Sequence, residues 1–238
     1  MNTVFISTVT LFPKIFKDIF SYSIIGRAQK RGLVNFYLID IRDFAIGSYK
    51  TVDDKPYGGG KGMIIRVDVV HKAIMQAKIN YREHLKQNNK SSVNCQLKIN
   101  YRIKEKIILM DPKGKTYSQK KAFELSKLDH LILVCGHYEG IDARINKYID
   151  ESISIGDYIL TGGEIPAMVI VDSVCRLVSG VLSEEAIKNE SFSTSFTHEE
   201  PQFTRPYEYE KMKVPEVLLS GNHQKITIWK KKKQKKIN

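Results

Sequence analysis

The sequence predicts an α/β fold, because short apolar, β-branched segments alternate with segments of helical periodicity. Val4 to Val9 and Val34 to Ile41 have the composition of buried strands. Pro13 to Arg31 between them has helical spacing and is followed by Gly32. The chain has 238 residues, of which 42% are hydrophobic, enough for one large core and a small additional unit. The first forty residues therefore predict a β–α–β unit.

The same alternation continues in the middle of the chain. We expect a helix at Val67 to Ala77 and a strand at Ile107 to Met110, then a helix at Ser118 to Leu128 and a strand at Leu131 to Val134. The segment Asn80 to Lys106 is polar and has weak periodicity. We interpret it as a surface insertion in the α/β domain.

The last part of the chain predicts one more helix and then a small basic unit. Ile165 to Val178 is helical in pattern, with Pro166 at a favoured first-turn position. We expect residues 1–180 to form the main domain, residues 181–204 a polar linker, and residues 205–238 a small C-terminal unit. The helices predicted in that unit are Val214 to Leu219 and Gln224 to Lys236.

The charge of the chain favours a polyanionic partner. The formal net charge is +12, and phosphate neutralisation makes nucleic acid the leading partner class. Part of the excess is a lysine run near the C-terminus, Lys230 to Lys233 with Lys235 and Lys236. Two interpretations of this run stay open: a solvated tail, or electrostatic contact with RNA.

The sequence indicates a cytoplasmic protein without a membrane span. Its three cysteines, Cys95, Cys135 and Cys175, form no Cys-x-x-Cys pair, and no histidine cluster has metal-ligand spacing. The opening residues lack a basic segment and are interrupted by Pro13, unlike a signal peptide. No apolar run approaches the length that crosses a bilayer.

Four glycine-rich segments are candidates for ligand contact. The segment from Asp53 to Met63 permits close approach of a ligand to the backbone, but Lys61 is not followed by the Ser or Thr of a P-loop. A tight turn and a ligand cradle stay open for it. The loops Asp111 to Gly114, Gly136 to Asp142 and Gly156 to Pro166 each follow an apolar segment. Loops at neighbouring strand ends would form one crevice for a ligand.

Several strings, taken together, resemble the bacterial tRNA (guanine-N1)-methyltransferases, the TrmD family of the knotted SPOUT superfamily. The similarity covers most of the chain, with the strings in the family's order. The most specific strings are Thr51-Val-Asp-Asp-Lys-Pro-Tyr-Gly-Gly-Gly, Leu133-Val-Cys-Gly-His-Tyr-Glu-Gly-Ile-Asp, Ser154-Ile-Gly-Asp-Tyr, Thr204-Arg-Pro and Val217-Leu-Leu-Ser-Gly-Asn-His.

The resemblance implies a SPOUT-type α/β domain with a deep C-terminal trefoil knot, followed by a small helical C-terminal domain that binds tRNA. It also implies a homodimer with active sites at the subunit interface and S-adenosylmethionine as methyl donor. The target would be N1 of the guanine immediately 3′ of the anticodon. The implied cofactor-binding residues are Met110, Asp111, Gly136, Tyr138, Glu139, Ile155, Gly156, Asp157, Tyr158, Ile159, Leu160, Gly162, Gly163 and Pro166.

The resemblance also implies two catalytic residues. Guanine N1 carries a proton, so methyl transfer needs a base and stabilisation of charge on O6. The family's arginine on the helix after the Gly-Gly-Glu loop matches Arg176. Its base, an aspartate before Ser-Phe, matches Glu190, which is a departure from the family pattern.

Three further points stay open at this stage. Family members are expected to need Mg²⁺, but the sequence offers no ligand set for it. The change from aspartate to glutamate also fits a non-catalytic RNA-binding protein on the same scaffold. A knotted methyltransferase for another RNA position is the third alternative.

Overall fold

A computed structural model describes residues 3–89, 103–188, 190–192 and 197–236 of the chain. The chain divides into two compact units, Met1–Val181 and Leu182–Asn238. Three short 3-10 segments accompany the helices of the first unit, at Pro13–Ile15, Ile41–Phe44 and Ala143–Lys147. The strands of the first unit are β1 Val4–Thr10, β2 Val34–Asp40, β3 Asp53–Asp54, β4 Ile64–Ile65, β5 Glu105–Thr116, β6 His130–Cys135 and β7 Glu151–Ser154. Its helices are α1 Phe16–Ser21, α2 Ser23–Lys30, α3 Val67–Asn89, α4 Gln119–Leu125 and α5 Glu164–Cys175.

The first unit is built on a sheet of five parallel strands in the order β2-β1-β6-β5-β7. Every residue of β1 and β6 is buried, as expected for central strands covered on both faces. The predicted α/β fold with a parallel sheet is therefore confirmed.

Two helical layers cover the sheet because successive strand residues point to opposite faces. Leu131 and Leu133 of β6 pack in a cluster with residues of α1, α2, α4 and α5. Ile132 and Val134 pack in a second cluster with residues of α3. The two clusters cover the two faces of the sheet. The carboxyl ends of the strands are therefore surrounded by loops.

Several element boundaries differ from the sequence prediction. The first predicted helix is divided between α1 and α2, since Tyr22 is extended and Ser23 has a φ of 52°. Helix α3 continues past the predicted end at Ala77 to Asn89, because Tyr81 is buried against Phe5. The first ten residues of the predicted insertion are thus helical, and residues 90–102 lie outside the described part of the chain.

Strand β7 was not predicted, and β5 is longer than predicted. The predicted loop Asp111 to Gly114 lies within β5, where the pairing with β7 shifts register between Met110 and Lys115. Glu151 at the start of β7 forms ion pairs with Lys106 and Lys121. This edge strand has only four residues, and Ile153 is its single apolar one, so the sequence pattern is too short to reveal it.

The second unit consists of short elements. Glu200 is nearly buried and contacts Lys230 Nζ at 2.9 Å and Gln234 Nε2 at 3.2 Å. The rings of Phe203 and Trp229 lie 6.2 Å apart. The elements are α6 Glu184–Lys188, β8 Thr197–His198, β9 Glu208–Tyr209, β10 Met212–Lys213, α7 Glu216–Leu219, α8 His223–Lys233 and β11 Lys235–Lys236. The segment predicted as a linker, 181–204, contributes α6 and β8 to this unit. Over the described ranges of the chain, no helix is long and apolar enough to cross a membrane.

Candidate active site

A cavity with a volume of about 590 Å³ lies at the carboxyl ends of β5, β6 and β7. Its walls come from the end of the regular part of β5, from the loop after β6, and from the segment that joins β7 to α5. This is the edge of a parallel sheet at which α/β proteins bind ligands. The three glycine-rich segments that were predicted to form one crevice all contribute to this cavity, although the first of them, Asp111 to Gly114, lies within β5.

All of the predicted cofactor-binding residues line this cavity except Asp157. The prediction missed neighbours in the same loops, and it missed the 3-10 segment after Asp142, which carries no glycine signal. The lining residues outside the predicted cofactor-binding set are Leu109, Pro112, Lys113, His137, Gly140, Ile141, Ala143, Ile145, Asn146, Ile153, Ser154 and Thr161, and six of them lie within the three predicted loops. Apolar side chains near the carboxyl ends of the strands, such as Leu109 and Ile153, are the sequence signal from which more lining residues could have been predicted.

Backbone groups hold two walls of the cavity together. Gly163 N donates to Gly136 O at 2.8 Å, and His137 and Gly162 form an isolated antiparallel bridge. A Cβ atom on Gly163 would lie 2.8 Å from Cys135 Cα and 2.9 Å from Gly136 N. Only glycine therefore fits where the start of α5 meets the end of β6.

The segment after β7 closes on itself in a tight turn. Ser154 Oγ donates to Gly156 O at 3.0 Å and accepts from Gly156 N at 3.2 Å. Gly156 has a φ of 154°, and a Cβ atom there would lie 2.4 Å from Tyr158 Cε1. The turn leaves Tyr158 and Ile159 largely exposed beside the cavity. These side chains thus present apolar surface at the cavity.

A buried carboxylate stands behind the cavity wall. Glu164, only 5% exposed, accepts a hydrogen bond from Thr10 Oγ1 at 2.7 Å. Its other oxygen lies 3.8 Å from His137 Nε2, and the ring of Phe12 lies 4.9 Å from the His137 ring. His137 is thus held in the wall by residues from distant parts of the sequence. Sequence reasoning gave it only a surface or hydrogen-bonding role.

The two predicted catalytic residues lie outside these walls. Arg176 caps the C-terminal end of α5 and is half-buried. Pro166, in the first turn of α5, lines the cavity, and a helix rises 1.5 Å per residue, so Arg176 is about 15 Å further along the axis. Glu190 belongs to the second unit and is also half-buried.

Comparison with known proteins decides the family. The family model described as tRNA (Guanine-1)-methyltransferase TrmD matches residues 4–237. The chain belongs to this family.

Similar TrmD-family relatives are named tRNA (guanine-N(1)-)-methyltransferase. The chain is 48% identical over 229 residues to the protein of Geobacillus kaustophilus, covering 95% of this chain and 85% of that one. It is 46% identical to the protein of Dictyoglomus turgidum over 95% of this chain and 83% of that one. The chain is 47% identical to the protein of Clostridium botulinum strain Eklund 17B, over 95% of this chain and 85% of that one. The predicted family, and the assignment to methyltransferase enzymes, are confirmed.

The two cysteines in the described part of this TrmD-family chain, Cys135 and Cys175, contribute no nucleophile at the site. Cys135 and Cys175 are buried, and burial raises the pKa of both thiols. A thiol held protonated in an apolar core is inert. Within the ranges that the structure describes, no three or more His, Cys, Asp and Glu side chains are grouped to hold a metal ion.

Proposed function

We propose that this enzyme transfers a methyl group from S-adenosylmethionine to N1 of the guanine immediately 3′ of the anticodon in tRNA. The observation that carries the proposal is the glycine-walled cavity at the carboxyl ends of β5, β6 and β7, in a chain of the TrmD family. An enzyme that modifies tRNA would work in the cytoplasm.

The residues of the cavity fit a donor of this size and chemistry. A volume of about 590 Å³ lies within the range of small-molecule sites, roughly 300–1,000 Å³. Backbone amides and carbonyls of the loops at Gly136 and Gly156 would bind the polar edges of an adenine and a ribose. Leu109, Ile155 and Leu160 would cover the apolar faces. S-adenosylmethionine supplies an electrophilic methyl group when bound.

The chain's own residues would act on the guanine. The carboxylate of Glu190 would accept the proton from guanine N1, and the guanidinium of Arg176 would stabilise the charge that develops on O6. The extra methylene of Glu190, relative to the family's aspartate, moves the carboxylate outward. No group of described residues provides a Mg²⁺ site, so no step is assigned to a metal.

We also propose that the protein is a homodimer with composite active sites. Arg176 is at the end of α5 that points away from the cavity, about 15 Å along the helix from Pro166. In a dimer, the C-terminal end of α5 from one subunit, with its arginine, would lie at the cavity of the other subunit. This separation within one chain supports a composite site.

A subunit-mixing experiment tests the composite site. Ile155→Trp fills the cavity of one subunit, and Arg176→Ala removes the guanidinium from another. Each homodimer should be inactive. After mixing, half of the dimers contain both variants and keep one intact site of two, so about a quarter of wild-type activity should return. No recovery, with mixed dimers verified by mass, would show that each subunit acts with its own Arg176.

A trefoil knot is the second structural proposal. After β7, at the edge of the sheet, the chain returns to pack α5 against β1 and β6. On the way it approaches other backbone segments very closely. A Cβ atom on Gly163 would lie 2.8 Å from Cys135 Cα and 2.9 Å from Gly136 N. These approaches are those expected of a chain threaded between its own loops.

The catalytic assignment is tested with Glu190→Gln and the matched variant Glu190→Asp. On an unmodified tRNA transcript with guanine 3′ of the anticodon, Glu190→Gln should abolish methyl transfer, whereas Glu190→Asp should remain active. Calorimetry should give wild-type affinity of both variants for S-adenosylmethionine. Digestion and mass spectrometry of the product should identify 1-methylguanine.

Three outcomes would contradict parts of this proposal. Near-normal turnover of Glu190→Gln would remove Glu190 as the base. A wild-type protein that shifts tRNA in a gel but transfers no methyl group would be an RNA-binding protein without catalysis. A methyl group found on another base or on a ribose would move the target.

A further inference from the structure

The segment Lys55–Gly62, here named the tyrosine loop, is attached at its base to the wall of the cavity. It connects β3 and β4, which pair as a short antiparallel hairpin. Ile65 N donates to Gly140 O at 2.9 Å, and Glu139 N donates to Met63 O at 3.1 Å. Both Glu139 and Gly140 line the cavity. The base of the tyrosine loop therefore has a fixed position beside the proposed methyl-donor site.

The tip of the tyrosine loop presents an aromatic ring to solvent. Tyr57 is 100% exposed, whereas most aromatic side chains lose much of their surface on folding. Gly58 and Gly59 follow it with φ values of 86° and 81°, and Gly59 N donates to Pro56 O at 3.3 Å. No heavy atom lies within 4 Å of the Cβ position of either glycine. The turn thus leaves open space around the ring.

Cationic residues lie at both ends of the tyrosine loop. Lys55 and Lys61, at the two ends of the loop, are exposed. The Arg66 guanidinium pairs with the Asp68 carboxylate at 3.0 Å, and the Arg144 guanidinium donates to the Asp142 carboxylate. These contacts fix the direction of each guanidinium. These hydrogen bonds raise the pKa of both arginines, and the Tyr57 phenol makes a smaller contribution to each. The phenol is thus within electrostatic range of two oriented guanidinium groups.

Because Asp54, Asp68 and Asp142 offset part of this positive charge, electrostatics alone do not define the ligand. An exposed aromatic ring with neighbouring cations matches the way proteins hold single-stranded nucleic acid: a base stacks on the ring and the cations follow the phosphates. The loop that carries the ring is also anchored by its base to the wall of the cavity at which the target base must arrive. RNA is thus the partner whose chemistry fits all of these features.

We propose that Tyr57 is a stacking platform for the nucleobase adjacent to the target guanine, with Lys55 and Lys61 contacting its phosphates. The proposal rests on the proposed function, because that function brings a guanine to this cavity. Stacking of the neighbouring base would splay the RNA and direct the guanine toward the methyl donor. Tyr57 is then a positioning residue that touches RNA and takes no part in proton transfer.

The test compares Tyr57→Ala with Tyr57→Phe, which keeps the ring, and with the control Tyr22→Ala. Tyr22 is also largely exposed, but it lies between α1 and α2, which cover the opposite face of the sheet. An anticodon stem–loop carrying 2-aminopurine on either side of the target guanine reports stacking as fluorescence quenching. Wild type, Tyr57→Phe and Tyr22→Ala should quench one of the two probes on binding, and Tyr57→Ala should not.

Kinetics provide the second measurement. Tyr57→Ala should raise the KM for tRNA about ten-fold or more, the usual effect of losing one stacked base. Its affinity for S-adenosylmethionine and its thermal midpoint should stay at the wild-type values, because the side chain is wholly exposed. Tyr57→Phe should remain within about two-fold of wild type.

Three results would overturn the stacking platform. The first is equal quenching by Tyr57→Ala and wild type, or quenching by neither. The second is a loss in Tyr57→Phe as large as that in Tyr57→Ala, which would assign the effect to the hydroxyl. The third is conversion of a dimer to a monomer by Tyr57→Ala, which would mean that a second copy covers the ring. Failure of the wild type to methylate would instead reject the proposed function, and the quenching experiment would still decide the role of Tyr57.

Discussion

The two ends of the central sheet differ in how they use polar groups. At the carboxyl end, glycines and backbone amides surround an open cavity. At the amino end, Ser7 Oγ lies 2.9 Å from His130 Nε2, and Glu105 Oε2 lies 2.8 Å from His130 Nδ1. These are the three groups of a hydrolytic triad, yet Ser7 and His130 are wholly buried. Accessibility, and not the presence of reactive side chains, distinguishes the functional end from the structural one.

The buried network at the amino end has every property of a structural element. The His130 ring stacks on Tyr81 at 4.5 Å, and Lys78 Nζ pairs with Glu105 at 2.8 Å. Burial lowers the pKa of His130, so the imidazole is neutral, donates to Glu105 and accepts from Ser7. Burial alone would raise the pKa of Glu105, but hydrogen bonds from His130 and Lys78 outweigh it and lower the pKa to about 2.

Gly163→Ala should have the largest effect on stability, because it acts on the backbone contact that closes the carboxyl end. The added Cβ would meet Cys135 Cα at 2.8 Å, closer than such atoms approach in proteins, so α5 must shift. We expect a loss of about 3 kcal/mol, or a thermal midpoint lower by about 10 °C. Affinity for S-adenosylmethionine should fall with it. Calorimetry of unfolding and of binding measures both.

The control for this prediction is Gly136→Ala in the same cavity. A Cβ on Gly136 has only ordinary contacts, the nearest atoms being 3.8 Å away, and its φ is not in the left-handed region. Its thermal midpoint should stay within about 2 °C of wild type. Equal destabilisation by both variants would contradict the role given to the Gly163 contact.

Glu105→Gln should have an intermediate effect at the amino end. The carboxylate is stabilised by His130 and Lys78, and its pKa of about 2 lies well below the value in an unfolded chain. With allowance for partial solvent exposure, removal of the charge should cost about 2 kcal/mol at pH 7. Urea unfolding measures the loss, and methyl transfer by the folded variant should be unchanged. Impaired turnover at full stability would connect this network to catalysis.

The same network predicts how stability depends on pH. Since His130 is neutral in the folded protein, the unfolded chain binds more protons once the pH falls below about 6.5, and the free energy of unfolding decreases. The contribution of Glu105 is present above about pH 4.3 and is lost as the pH falls toward 2. Unfolding at pH 7.5 and 5.5 should show a smaller difference in His130→Phe than in wild type. The exposed His223 provides the control His223→Asn, which should keep the wild-type difference.

Tyr117→Phe should have the smallest effect. At the carboxyl end of β5, the Tyr117 hydroxyl and Ser173 Oγ of α5 lie 2.7 Å apart, and burial raises the pKa of Tyr117 to about 12. One hydrogen bond of this kind contributes about 1 kcal/mol, which lowers the thermal midpoint by roughly 2–4 °C. A loss as large as that of Gly163→Ala would mean that side chains hold this end as firmly as the backbone does.

Local patterns in the sequence predicted the parts of the molecule that depend on neighbouring residues. The apolar run Leu131 to Val134 predicted the strand that is β6, and the glycines after β6 and β7 predicted the walls of the cavity. Ser23 and β7 were missed, because a single residue of positive φ leaves no periodic signal and a four-residue edge strand with one apolar residue leaves too short a signal.

Contacts between distant residues could not be predicted. Thr10 and Glu164 are separated by 154 positions and meet only in the folded chain, where they hold His137 in the cavity wall. Arg176 and Glu190 came from the resemblance to a family alone. Their roles stay predictions until the variants are assayed.

The hydrogen bond between Gly163 and Gly136 joins two walls of the cavity that the ribosome synthesises at different times. The ribosome makes the loop after β6 early, but that wall has no opposite side until Gly162, Gly163 and Pro166 have emerged and α5 has docked. A nascent chain would thus lack a complete cavity, and with it the proposed donor site, while the first unit is still being translated. Donor binding can then serve as a reporter of finished folding in a cell-free translation experiment.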